Sequence, residues 1–147
     1  MVDNSTQCPV DVIFVLDESG SVSEHNFNLS KLFLSQLVAR MDVNSSHTRV
    51  GLVCFSTNVT HEETFNLNKY LTTTSVQSAI SSLTYTPGGS THTAAALRYV
   101  REKMLTLAAG DRPDIPNVVF VMTDGQSNMN SHLTKVCTRA GKLRRKT

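Results

Sequence analysis

Residues 10–23, V-D-V-I-F-V-L-D-E-S-G-S-V-S, decide the fold. Val10, Val12, Ile13, Phe14, Val15 and Leu16 form an apolar, β-rich run broken only by Asp11. A run with no wet face predicts a strand covered on both sides, as in a parallel sheet. It ends on Asp17, sets Ser19 and Ser21 around the flexible Gly20, and reaches Ser23, a helix N-cap candidate. Strand, hydroxyl-rich turn and helix, in that order, present polar groups at the carboxyl end of an open sheet, where ligands bind in such folds.

Working outward, Phe27, Leu34, Leu37, Val38 and Met41 share a helical stripe with Leu32 and Phe33 beside it. This predicts an amphipathic helix of about five turns from Ser23 to Met41. The stretch 42–46, D-V-N-S-S, is turn chemistry, and Arg49–Ser56, R-V-G-L-V-C-F-S, is a second buried strand joined to the first by a parallel crossover. Thr57-Asn58 makes a tight link to the more polar Val59–Phe65, expected as an antiparallel strand at the sheet edge. Thr74 or Ser75 caps a short helix with Val76, Ala79, Ile80 and Leu83 inward. The loop Tyr85–Thr93, Y-T-P-G-G-S-T-H-T, carries a proline and two glycines, so its backbone is specialised. Leu97, Val100, Met104 and Leu107 predict a helix from Ala94 to Ala108, with Gly110 as its stop. Asn117–Thr123 is again a near-continuous apolar run, and it too ends on an acid, Asp124, followed by Gly125. Ser131 opens a final helix with Leu133, Val136, Cys137, Ala140 and Leu143 inward.

The pattern is α/β: a doubly wound, mostly parallel open sheet with one antiparallel edge strand, in the order 3-2-1-4. The direction of winding reverses between strands 1 and 4, which sets the Asp17 and Asp124 turns side by side. At 147 residues, 1–147 is expected to be a single domain able to bury roughly two-thirds of its unfolded surface.

Composition narrows the functional classes. Net charge is +2, which favours neither nucleic acid nor an acidic partner in bulk. No apolar stretch approaches the roughly 20 residues of a membrane span, and the first residues lack the regions of a signal peptide. Cys8, Cys54 and Cys137 are too scattered for a metal knuckle; Cys54 reads as a small buried hydrophobe, and Cys8 has Cys137 as one candidate for a bridge. Sequons at Asn4, Asn28, Asn44 and Asn58 point toward a secretory compartment.

Two aspartates at adjacent strand ends repel one another unless something positive lies between them. Ser19 and Ser21 add neutral oxygens beside Asp17, and the glycine-rich loop offers Ser90, Thr91 and Thr93. An all-oxygen set of acids and hydroxyls suits a hard divalent cation such as Mg²⁺, whereas zinc favours His or Cys.

D-E-S-G-S at 17–21 resembles the D-x-S-x-S signature of von Willebrand factor type A domains, also called integrin I domains. T-H-T-A-A-A-L at 91–97 is similar to that family's second loop, V-M-T-D-G at 121–125 to its third, and V-G-L-V-C-F-S to its second strand. The opening C-P-V-D-V-I-F-V-L-D and the G-G-S-T-x-T loop resemble the extracellular-matrix branch, such as matrilins and collagen VI. The resemblance implies a Rossmann-like fold and a metal-ion-dependent adhesion site. By motif position Ser19, Ser21 and Thr91 are its hydroxyl ligands, and Asp17 and Asp124 bind the metal directly or through water. It implies Mg²⁺ or Mn²⁺ as cofactor, and a coordination position left for an acidic residue of a collagen-like or other matrix or cell-surface protein. It implies no bond breaking, no nucleic acid and no membrane insertion, in a secreted, extracellular setting. The family domain continues with two more strands and a closing helix, so the chain is expected to be C-terminally truncated, with one side of strand 4 an open apolar edge.

Around this site, Thr93 reads as a helix-start hydroxyl, His25 and His92 as surface or rim residues, and Glu18 as a solvent-facing rim acid. Lys142, Arg144, Arg145 and Lys146 read as a solvated helix end. The alternative in another class is a metal-dependent hydrolase or phosphatase using the same crevice. A dehalogenase-like phosphatase needs a second acid at position 19, where Ser19 stands, and the G-x-S-x-G elbow of serine hydrolases is absent.

Overall fold

The computed structural model describes residues 8–123. Their elements run β1 (Val10–Asp17), α1 (Glu24–Val38), β2 (Thr48–Phe55), β3 (Val59–Phe65), α2 (Thr73–Ser81), α3 (Thr93–Tyr99) and β4 (Asn117–Met122). The strands form one sheet in the order β3-β2-β1-β4. β1 pairs in parallel with β2 and β4, and β2 pairs antiparallel with β3. The mostly parallel sheet with one antiparallel pair is therefore as the sequence predicts.

β1 is central because both its faces are apolar. Successive side chains of a strand point to opposite sides. Val12, Phe14 and Leu16 join one buried cluster with Phe27, Leu34 and Val38 of α1 and Val76 and Ile80 of α2. Ile13 and Val15 join a second with Ala96 of α3, Val100 and Met104. Helices thus cover both faces, and β2 divides its residues likewise, Cys54 toward α1 and α2 and Val53 toward α3.

Asp11 interrupts the apolar run for a reason. Its carboxylate is fully buried and accepts from Arg112 Nη2 at 2.6 Å, Arg112 Nε at 3.0 Å and the Arg112 backbone N–H at 3.1 Å. The same guanidinium donates to the His47 carbonyl at 2.6 Å, so one arginine joins the start of β1, the approach to β2 and the loop before β4.

Three expectations change in detail. The second helix is capped by Thr72, not Thr74 or Ser75: Thr72 accepts from the Ser75 N–H, and Ser75 reciprocates in a capping box. The predicted helix 94–108 is α3 followed by a π turn, Val100–Met104, and a 3₁₀ turn, Leu107–Ala109. The π turn adds a residue to its turn and rotates the stripe, so Leu105 is buried and Leu107, expected inward, is 71% exposed. Gly110 does end the segment, in the left-handed region at φ 94°. Third, Glu18 does not face solvent; its burial is described with the site.

Among the described residues β4 pairs only with β1, and Val118 and Phe120 are exposed on it. Phe120 stacks on Phe33 of α1 at a centroid separation of 6.2 Å. The final helix predicted from Ser131, the Lys142–Lys146 cluster and the Cys8–Cys137 pairing fall outside the described residues. Among those residues no helix is long and apolar enough to cross a membrane.

Candidate metal site

The turn after β1 is built by its own hydrogen bonds. Asp17 is buried, and its Oδ1 accepts the Ser19 backbone N–H at 2.8 Å, an Asx turn that folds the chain back at the strand end. That fold brings Ser19 Oγ and Ser21 Oγ to 3.1 Å. Ser19 is buried and Ser21 exposed, so the hydroxyl pair leads from the sheet edge to the surface. Ser23 then caps α1, its Oγ accepting the Asn26 N–H at 3.4 Å.

The glycine-rich loop lies directly on this turn. Gly20 N–H donates to the Gly88 carbonyl at 3.0 Å, and Tyr85 Oη donates to the Ser19 carbonyl at 3.1 Å. The loop's other side is tied to the end of β2. His92 N–H donates to the Ser56 carbonyl at 2.9 Å, and Ser90 Oγ lies 3.1 Å from Thr57 Oγ1. A side chain at Gly88 would put its Cβ 2.6 Å from Ser56 Cβ and 3.2 Å from the Thr57 nitrogen, so only glycine allows this approach. Thr91, carried on this loop, is buried at 2% exposure. Thr93 is also buried, as the first residue of α3. His25 is exposed and His92 half-buried, with Nε2 3.3 Å from Ser90 Oγ.

The third side of the crevice comes from β4. Thr123 Oγ1 donates to Asp17 Oδ2 at 2.8 Å, so both carboxylate oxygens are held. Asp124 lies outside the described residues. The structure thus brings Asp17, Ser19 and Ser21 into one turn and docks the Thr91 loop against it. Sequence reasoning missed Thr123, Tyr85 and Gly88 as supports. Thr123 was on view in V-M-T-D-G, but the hydroxyl's partner depends on β4 lying beside β1.

The donor set is oxygen only, a carboxylate with neutral hydroxyls, and this suits a hard divalent cation. A 3.1 Å separation of two hydroxyl oxygens matches an edge of an octahedron with bonds of about 2.1 Å. Both carboxylate oxygens keep lone pairs beyond the hydrogen bonds they accept.

Glu18 corrects the sequence reading. The alternation of β1 continues past its end: the Glu18 N–H donates to the Phe55 carbonyl at 2.8 Å, and the side chain falls on the face of Leu16 and Cys54. It is fully buried, bonded by the Thr60 hydroxyl and, at 3.0 Å, by Thr86 Oγ1. Burial raises its carboxyl above the ordinary value of 4.5; the two hydroxyls oppose this, and nearby Glu63 adds to the rise.

Residues 11–147 match the family model of the von Willebrand factor type A domain. Human matrilin-1 is 38% identical over 117 residues, covering 80% of this chain and 23% of that protein. Human matrilin-4 is 41% identical over 121 residues, and rat von Willebrand factor 36% identical over 114. The chain spans about a quarter or less of the length of these relatives. Among solved structures, proximal thread matrix protein 1 of the mussel byssus superposes with a TM-score of 0.78 at 30% identity, over 91% of this chain and 36% of that one. A second structure of that protein, described as having a zinc-occupied MIDAS motif, superposes with a TM-score of 0.76. With this fold, this strand order and a family match over nearly its whole length, the chain belongs to the von Willebrand factor type A domain family.

Proposed function

We propose that residues 1–147 belong to one adhesion domain that binds an acidic residue of an extracellular-matrix or cell-surface protein through a divalent cation, Mg²⁺ or Mn²⁺. In this reading Asp17, Ser19, Ser21, Thr91 and Asp124 hold the ion. The observation that carries it is the turn itself: paired Ser19 and Ser21 hydroxyls beside a carboxylate fixed on both oxygens.

The roles follow from the chemistry. Asp17 supplies charge and anchors the turn, while Ser19, Ser21 and Thr91 contribute neutral oxygens. Asp124 is the residue that follows Thr123 in the sequence, and in this reading its carboxylate adds the second negative charge. A cation held largely by neutral oxygens keeps enough charge to attract a further carboxylate, which a partner's Asp or Glu provides. Exposed Ser21 lies on the surface such a partner meets.

Nothing here calls for a bond to be broken, and we read the domain as a binding module rather than an enzyme. Similarity to matrilins, to von Willebrand factor and to a byssal matrix protein supports a matrix partner, of collagen-like or other kind, and an extracellular location. The sequon asparagines Asn28 and Asn58 are exposed, as N-glycosylation requires.

The test is retention of the chain on immobilised matrix proteins, collagens included, in Mg²⁺, in EDTA and as Asp17→Ala. Retention in Mg²⁺ that is lost under both other conditions is expected. Retention unchanged by EDTA and by the substitution overturns the reading.

A further inference from the structure

On the opposite side of β1 from α3, Glu18, Cys54 and Glu63 bring two carboxylate oxygens and a sulfur within 4.8 Å of one another. Cys54 and Glu18 are fully buried. Packing does not explain the group, because a buried carboxylate costs several kcal/mol unless it is paired. Hydroxyls of Thr60 and Thr86 satisfy Glu18, and the Thr84 N–H donates to Glu63 Oε1 at 2.6 Å. What is left is pointed inward: Glu63 Oε2 is buried with no hydrogen-bond partner among the described residues, and the Cys54 thiol is free and enclosed.

We propose that Cys54, Glu18 and Glu63 form a second metal site, selective for a borderline divalent ion such as Zn²⁺ or Co²⁺ and separate from the hydroxyl site at Ser19 and Ser21. A thiolate with two carboxylates favours such ions over Mg²⁺. Bonds of about 2.0–2.3 Å draw the three ligand atoms closer together, which the side chains of Glu18 and the partly exposed Glu63 both supply by adjusting. On binding, the Cys54 S–H bond breaks, its proton passes to water, and the sulfur–metal bond forms with no change of oxidation state. Burial and the neighbouring acids raise the thiol well above its ordinary value, so it carries its proton until a cation replaces it. The ligands then total three negative charges against two on the metal. Lys31, anchored by donating to the Leu83 carbonyl at 2.7 Å, lies close enough to act on Cys54 and supplies the balancing charge. Glu63 and Leu83 also line an open cleft of about 800 Å³ between β3 and α2, which gives a hydrated ion a route to the acid end.

The experiment is a Co²⁺ titration of the metal-free chain, followed by near-ultraviolet sulfur-to-cobalt charge-transfer absorption. A Cys8→Ser/Cys137→Ser background leaves Cys54 as its only thiol. The hydroxyl site holds no sulfur and is silent in this measurement. A band that saturates with Co²⁺, yields to Zn²⁺ but not to excess Mg²⁺, and disappears in Cys54→Ala is expected. Glu63→Gln, on a partly exposed strand and checked for folding by circular dichroism, weakens Co²⁺ binding about 10-fold or more. No band at saturating Co²⁺, a band that survives Cys54→Ala, or a band whose Co²⁺ affinity is undiminished in folded Glu63→Gln each overturns the proposal.

Discussion

Thr123 Oγ1 donates a 2.8 Å hydrogen bond to Asp17 Oδ2, joining the carboxyl ends of β4 and β1 at the point where the winding of the sheet reverses. Asp17 Oδ1 is meanwhile held by the Ser19 N–H at 2.8 Å. The protein itself thus holds both oxygens of the carboxylate, and orienting partners of this kind govern the affinity of a metal ligand.

Thr123→Val keeps the side-chain shape and removes that donor. Mg²⁺ affinity is expected to fall about 10-fold, with a loss of stability of roughly 1 kcal/mol. Titration calorimetry and thermal melting measure the two effects.

Gly88 and Gly89 are adjacent but not equivalent. A Cβ at Gly88 falls 2.6 Å from Ser56 Cβ, whereas one at Gly89 has nothing within 4 Å. Gly88→Ala therefore lifts the Thr91 loop from the turn, costing about 1–3 kcal/mol of stability and weakening Mg²⁺ binding. Gly89→Ala leaves both within error. Melting curves and Mg²⁺ titrations of the two variants, side by side, check the difference.

Buried Glu18 ties stability to pH. Folded Glu18 holds its proton more tightly than the unfolded chain does, because burial raises it above 4.5. Its favourable contribution is complete below that value and is lost as pH rises through the higher folded value. Glu18→Gln has no proton to lose. In metal-free protein the variant is expected to melt roughly 2–4 °C above the wild type at pH 7, with the gap closing by about pH 4. Melting temperatures across that range measure it.

The backbone plan was legible because both faces of β1 and β2 are written into near-continuous apolar runs, and because the short link to β3, three residues from Ser56 to Asn58 in the structure, makes that strand turn back. What escaped depends on contacts between distant residues. The Asp11 acceptor is 101 positions from Arg112, so the acid reads in sequence only as a flaw in a strand. Glu18 looked like a free position in a turn, but the strand's alternation carries one residue further and turns it inward beside Cys54. Leu107 failed for a local reason, since the π turn at Val100–Met104 breaks the 3.6-residue period that had placed it inside. At the candidate site, residue types and spacing pointed to the hydroxyls and to Asp17, which the turn after β1 brings together. The supports from Tyr85, Gly88 and Thr123 exist only once the loops are docked.

We propose above that the turn after β1 holds a hard divalent ion. Electron paramagnetic resonance of Mn²⁺ tests it most directly, because free Mn²⁺ is counted without any partner protein. One Mn²⁺ per chain is expected at this site, displaced by Mg²⁺, with affinity lowered at least about 100-fold in Asp17→Ala and about 10-fold in Ser21→Ala. Folded Asp17→Ala that binds Mg²⁺-displaceable Mn²⁺ as tightly as the wild type would contradict it.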